Sequence, residues 1–256
     1  MNRALKILIS CFFYLHTFYC YSIAQENEQI NFTDNKGRKQ GVWIKTHPNG
    51  KVRYKGTFKD GKPIGQFTHY YESGELEIKT QHVPNLNKSN ALFYYQNGKL
   101  KSEGNYIEQK KDSIWKYYNK EGILIAEENY VNDKKEGNFK SYFSNGKLSQ
   151  EVNWKNGEKH GKWKQYFENG TVKNESTFIN NELEGKTIVY YSNGKISIEG
   201  TYQKSLREGI WIYYNENGKL DRKEVYKNGK NLNPPEEKEN KPLPNQSNPQ
   251  PSEIGE

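Results

Sequence analysis

The sequence predicts an all-β chain, an elongated single-layer antiparallel sheet of eight tandem 24-residue β-hairpins. Three observations predict it. Gly50, Gly74, Gly98, Gly122, Gly146, Gly170, Gly194 and Gly218 are each 24 residues apart, and a fixed period of this size marks a repeat architecture. Asn precedes the glycine at 49, 97, 145, 169, 193 and 217, and Asn-Gly is a strong short-range hairpin signal. The hydrophobic fraction is only 32%, yet there are 20 Tyr, 11 Phe and 5 Trp. Rings in that proportion suit a pleated, half-exposed surface better than a deep core.

Residues 1–24 read as a signal peptide. Arg3 and Lys6 form a positive start, an apolar run follows from Ile7 to Tyr21, and Ser22-Ile23-Ala24 places small residues before a cleavage site at Gln25. An uncleaved anchor is the alternative, although the run is short for a membrane span. Cys20 follows Thr-Phe-Tyr, which lacks the small residues of a lipoprotein signal. Cys11 and Cys20 are the two cysteines and both lie in the leader, so the exported chain would have no disulfide, thiolate metal site or cysteine nucleophile. The expected location is the periplasm, the cell surface or the medium.

Residues 25–40 form an N-terminal cap, with 31–41 resembling half a unit. The array follows over residues 41–230. Two residues after each glycine lies an aliphatic, from Val52 and Leu76 to Leu220, and eight after it a ring, as at Phe58, Trp154 and Phe178. Four before it lies a tyrosine in seven units: Tyr70, Tyr94, Tyr118, Tyr142, Tyr166, Tyr190 and Tyr214. Residues 231–256, rich in Pro, Asn, Gln and Glu without periodicity, predict a disordered tail.

A two-residue turn at Asn49-Gly50 sets Trp43 opposite Gly56 and Gly41 opposite Phe58, and likewise Trp163 opposite Ser176. A ring over a cross-strand glycine shields its backbone. Alternation along the strand then gives two faces. One carries Trp43, His47, Val52, Gly56 and Phe58, and in later units Trp115, Trp154, Trp163, Phe178 and Trp211. The other carries the seven tyrosines and a charge row in which Lys116 faces Glu127, Lys140 faces Glu151 and Lys164 faces Glu175. Such pairs read as register locks worth roughly 0.2–1 kcal/mol each.

The stretch Tyr54-Lys55-Gly56-Thr57-Phe58-Lys59-Asp60-Gly61 resembles a MORN repeat. The 24-residue spacing and the Tyr-Tyr-x-Asn-Gly-Lys turn resemble the bacterial MORN-variant repeats more closely, over residues 31–230. The resemblance implies a stacked hairpin scaffold. Its frequent label, the antitoxin component of a toxin–antitoxin system, implies an inhibitor of a partner protein, although an exported chain could not hold a cytoplasmic toxin. Some units depart from the pattern. Ser89 and Ser113 replace the opening glycine, Ala91 and Thr187 replace the strand ring, and the link after His82 contains Pro84. A bend or fraying is expected between the second and third units.

Catalysis finds no foothold. His47, His69, His82 and His160 match no metal spacing, and no nucleophile or phosphate-loop motif is present. The expectation is a non-catalytic scaffold without cofactor or metal. Its first partner class is another protein or a second copy, met through an open aromatic face. Cell-wall glycan, stacked on the seven-tyrosine row, is the second. Anionic lipid is the third, since the array between leader and tail carries +9. Export argues against nucleic acid.

Overall fold

The computed structural model describes residues 29–83 and 86–233. The leader, the first cap residues, Pro84 and the tail beyond Asn233 lie outside them. Within the described residues there is no helix. Among the described residues twenty strands form one open antiparallel sheet, most paired with the neighbour in chain order, as Lys39–Thr46 with Val52–Lys59 and the latter with Lys62–Tyr70, while Lys134–Lys135 and Gly137–Tyr142 both pair with Leu124–Val131, and Glu182–Leu183 and Gly185–Tyr190 both with Val172–Ile179. The cap contributes Phe32–Thr33, which pairs with Gln40 and Lys39. Asn31 extends that cover, donating its N–H to Val42 O and accepting the Ile44 N–H on its side chain.

The two ends of each hairpin use different turns, and not in the expected places. At the repeated Asn-Gly, the Gly50 N–H donates to His47 O and the His47 N–H to Lys51 O, with Gly50 at φ 83 and Asn49 outside the left-handed region. This is a three-residue loop, a type I turn closed by a left-handed glycine. Two-residue turns with both residues left-handed lie between units instead, at Asp60-Gly61, Asn156-Gly157 and even Glu108-Gln109.

The expected register nevertheless holds away from the loop. Trp43 pairs with Gly56, Gly41 with Phe58, and Trp163 with Ser176. The longer loop would shift the pairing, but a bulge absorbs one residue: Thr46 pairs with Val52 and Lys45 with Tyr54, leaving Arg53 over. That bulge has a consequence for the faces. Val52, Leu76 and Leu148 lie opposite Thr46, Tyr70 and Tyr142. The aliphatic row therefore belongs to the tyrosine face, not to the Trp43 face expected from unbroken alternation.

A second bulge opens most units. Lys55 pairs with Thr68 and Thr57 with Ile64, so residues 65–67 stand opposite Gly56 alone. The opening residue is left-handed, at φ 64 for Gly65 and φ 72 for Gly137. Ser113 adopts the same conformation at φ 61, which disfavours any residue with a Cβ by roughly 1–2 kcal/mol. Ser113→Gly is expected to stabilise the array by about 1 kcal/mol, the gain being trimmed by the flexibility of glycine in the unfolded chain. Urea denaturation checks it, and an unchanged midpoint would count against the strain. Ser89 does otherwise. His82 pairs with Ser89 and the ladder runs unbroken to Ile78–Phe93. The expected fraying between units two and three does not occur, because without the bulge the ladder continues.

Candidate functional site

The aromatic face is a row in which large and small residues fit one another. Phe67 covers Gly56, Trp115 covers Gly104 and Trp211 covers Gly200; a Cβ on any of these glycines would stand 2.3 Å from the ring. Trp43 was the ring expected over Gly56. The cover comes instead from the strand that follows, eleven residues on, because the opening bulge pushes that ring back over its neighbour. In two units where the partner has a small polar side chain, a small residue stands in for the ring: Ala91 pairs with Thr80, while Thr187 hydrogen-bonds Ser176. The two departures from the ring pattern are thus size compensation. Val152, paired with Trp163, is buried.

The rings pack edge to face across the hairpin, as Trp115 on Tyr106 and Trp211 on Tyr202, each at 5.0 Å. A cation four residues before a ring then lies over it. Lys39 stands 4.5 Å from the Trp43 centroid, Lys111 4.4 Å from Trp115 and Arg207 4.4 Å from Trp211. Lys135 covers Trp154 and Lys159 covers Phe178. Trp115 is consequently 1% exposed and Trp211 2%. The cover that a single layer lacks comes from its own cations. Burial lowers the pKa of Lys111, and nearby Glu128 and Asp133 oppose the shift. Glu128 enters this face as well, held by Lys135 at 2.6 Å and by the Tyr130 hydroxyl.

The tyrosine face is a ladder. Glu103, Lys116, Glu127, Lys140, Glu151, Lys164 and Glu175 face one another in turn across seven strands. All three expected pairs are in register. Of these three, Lys164–Glu175 closes to 2.9 Å. The other carboxylates take tyrosine hydroxyls: Tyr118 donates to Glu103, Tyr142 to Glu127, Tyr166 to Glu151 and Tyr214 to Glu199, each at 2.7 Å. The offset is always fifteen residues. Tyr70 and Tyr94 have Lys55 and Lys79 at that offset, so the rule cannot apply to them, and Glu175 serves Lys164 rather than Tyr190.

These bonds favour neutral tyrosine. Burial and then the Glu103, Glu127 and Glu151 carboxylates push Tyr118, Tyr142 and Tyr166 up to about 12. An acid whose folded pKa is raised contributes stability that is complete below the unfolded value, about 10, and lost as pH rises through the folded one. The array is therefore expected to lose stability between pH 10 and 12. Ultraviolet titration should show these tyrosines ionising late, together with unfolding. Ionisation near pH 10 in a still-folded array would contradict the ladder.

The loop edge explains the Tyr-Tyr-x-Asn-Gly-Lys motif, whose second tyrosine, asparagine and lysine each reach the next unit. Tyr71, Tyr95 and Tyr191 donate to the Tyr94, Tyr118 and Tyr214 carbonyls; His47 takes this place in the first unit, 2.9 Å from Tyr70 O. Asn49 and Asn97 donate to Glu72 O and Lys120 O, and Lys51 and Lys99 to Ser73 O and Glu121 O. Of the other histidines, His69 and His82 sit among rings, with pKa values lowered by burial. Among the described residues no group of His, Cys, Asp and Glu is placed to hold a metal ion.

Comparison with known proteins agrees with this geometry. The MORN repeat variant family matches at residues 39–60, 63–83, 90–108, 111–132, 135–156, 159–180, 183–204 and 207–228. The chain belongs to the MORN repeat variant family and is a repeat scaffold. No curated protein matches it. Among solved structures it is similar to TarM, at 13% identity and a TM-score of 0.27 over 39% of this chain and 20% of that one. It is also similar to a TcdB2-TccC3-Cdc42 chain, at 10% identity and a TM-score of 0.20 over 75% of this chain and 13% of that one. A Bacteroides fragilis protein of unknown function matches at 9% identity and a TM-score of 0.14, over 56% of this chain and 95% of that one. The chain thus spans about a fifth or less of the first two, and likenesses this weak add nothing to the family assignment.

Proposed function

We propose that this repeat scaffold is exported and non-catalytic, and that it binds a protein partner, or a second copy, in the periplasm or at the cell surface. The observation that carries the reading is where the exposed aliphatics fall. Ile114 and Ile210 are 56% and 59% exposed. They occupy equivalent positions four units apart, on the tyrosine face, since they alternate with Tyr118 and Tyr214 along their strands. The aromatic face is covered by its own cations, which leaves the tyrosine face, on the side away from the engaged hydroxyls, as the surface to offer. Aliphatic side chains standing in water there are what a protein interface would bury.

A photo-crosslinking residue placed at 114 or 210 is expected to give a discrete protein adduct in cells, and one at 163, on the aromatic face, none. An adduct confined to 163 would sink the reading. Fractionation should also find a mature chain that begins at Gln25 outside the cytoplasm. A cell-wall glycan is the second reading. It is favoured by exposed Gln66, Gln81, Asn90, Asn138 and Asn153 in the same column as the isoleucines, because amides can both donate to and accept from sugar hydroxyls.

A further inference from the structure

The chain holds eight Asn-Gly pairs. Six stand in hairpin loops, and two, Asn156-Gly157 and Asn228-Gly229, in the two-residue turns between units. Asn-Gly is prone to a spontaneous reaction between its own groups, because glycine has no side chain to shield its nitrogen from the asparagine amide. How fast the reaction runs depends on how freely that amide can turn, and the two kinds of turn treat it differently.

In the loops the amide is tied at both ends. The side-chain oxygens of Asn49, Asn97, Asn169 and Asn193 accept the N–H groups of Lys51, Lys99, Thr171 and Lys195 at 2.9–3.1 Å. Their side-chain nitrogens donate to carbonyls of the next loop, at Glu72, Lys120, Ser192 and Glu216. The group that would have to swing onto the following nitrogen is thus the staple between units. Among the described residues Asn145 keeps the first kind of bond alone, to Lys147.

Asn156, inside the array between units five and six, is held the other way round. Its backbone N–H donates to Glu136 at 2.7 Å, while its exposed side-chain amide bonds to no described residue. The glycine nitrogen does not tell the two turns apart. Gly157 donates to Lys135 O at 2.9 Å, and Gly50 and Gly98 donate to His47 O and Tyr95 O at 3.0 and 2.9 Å. The difference lies in the amide that is attacked.

We propose that Asn156 deamidates spontaneously while the loop asparagines are protected by their own staples. The Gly157 nitrogen attacks Cγ of Asn156, and the new C–N bond closes a five-membered imide. The side-chain nitrogen leaves as ammonia, taking the proton that the glycine nitrogen gives up. Water then adds to either imide carbonyl; that C–N bond breaks, the carbon becomes a carboxyl and the nitrogen regains a proton. Opening at Cγ leaves aspartate, and opening at the backbone carbonyl leaves isoaspartate. Aspartate suits the turn, since Asp60-Gly61 already forms the same one, at φ 52 and 77 against 53 and 88 for Asn156-Gly157. Isoaspartate routes the main chain through the side-chain carbon. That lengthens a turn already closed tightly by the Lys155–Glu158 and Trp154–Lys159 pairs.

The test is peptide mapping of the full chain aged in mildly alkaline buffer. Each site's rate is divided by its own rate in the urea-unfolded chain, which removes the influence of neighbouring sequence. On this scale Asn156 is expected to react about tenfold faster than Asn49, Asn97, Asn169 and Asn193, because each of those must first give up two hydrogen bonds. Asn145 should fall between. Equal protection at 156 and in the loops, or a stapled loop asparagine reacting first, would overturn the proposal. The two products give a second reading. The isoaspartate fraction, separated by ion exchange, should exchange the amides of residues 154–159 faster than the parent chain, and the aspartate fraction should match the parent. Identical exchange in both fractions would overturn the role assigned to the turn.

Discussion

Gly104→Ala is expected to cost the array about 1–3 kcal/mol, the range for overfilling a tight core, although it adds one methyl group to a surface-spanning sheet. That methyl would stand 2.3 Å from the Trp115 ring, and the ring cannot lift away. Tyr106 packs against its edge and Lys111 lies across it. Trp115→Ala should cost about 3–5 kcal/mol, as deletion of a buried ring does. The double variant separates the causes. If the glycine is there to admit the ring, Gly104→Ala adds almost nothing once Trp115 is Ala. The chain already holds such pairs, Thr80 with Ala91 and Ser176 with Thr187. Urea denaturation of the four proteins closes the cycle, and strictly additive losses would rule out the size-matching account.

The parts of this molecule that were legible in the sequence are those that repeat at its own period. Glycine spacing defined the units, and counting outward from the turn placed Trp43 opposite Gly56 and Lys164 opposite Glu175. The count succeeded although the turn type was wrong. The extra residue in the Pro48-Asn49-Gly50 loop is cancelled by the bulge at Arg53, so only the Val52 row changed face. What the period concealed lies across unit junctions. The ring over Gly56 comes from eleven residues ahead, and the carboxylate under Tyr118 from fifteen behind. Neither offset follows from hairpin pairing, because the opening bulge sets both. The cation cover could have been found: Lys39, Lys111 and Arg207 each precede a tryptophan by four residues, a spacing visible in the sequence. The second role of Asn49 could not, because its side chain, besides accepting the Lys51 N–H within its own turn, reaches the next unit's loop.

The charge ladder makes the second large prediction. Glu151 faces Lys140 on one side and Lys164 on the other, and accepts the Tyr166 hydroxyl. Glu151→Lys would set three lysines in a row and leave that hydroxyl without its acceptor. Facing charges are worth roughly 0.2–1 kcal/mol in either sense, so reversing two pairs shifts the balance by about 1–4 kcal/mol, and the lost hydrogen bond adds about 1 kcal/mol. Glu151→Gln separates the contributions, because it keeps an acceptor for Tyr166 and removes only the charge; it should cost clearly less. Salt provides the check. Repulsion between half-exposed lysines is screened as ionic strength rises, so molar salt should recover much of the Glu151→Lys loss and little of the Trp115→Ala loss. A salt-insensitive Glu151→Lys defect would mean that the carboxylate acts through packing and its tyrosine bond, and that the row of alternating charge does not hold the register.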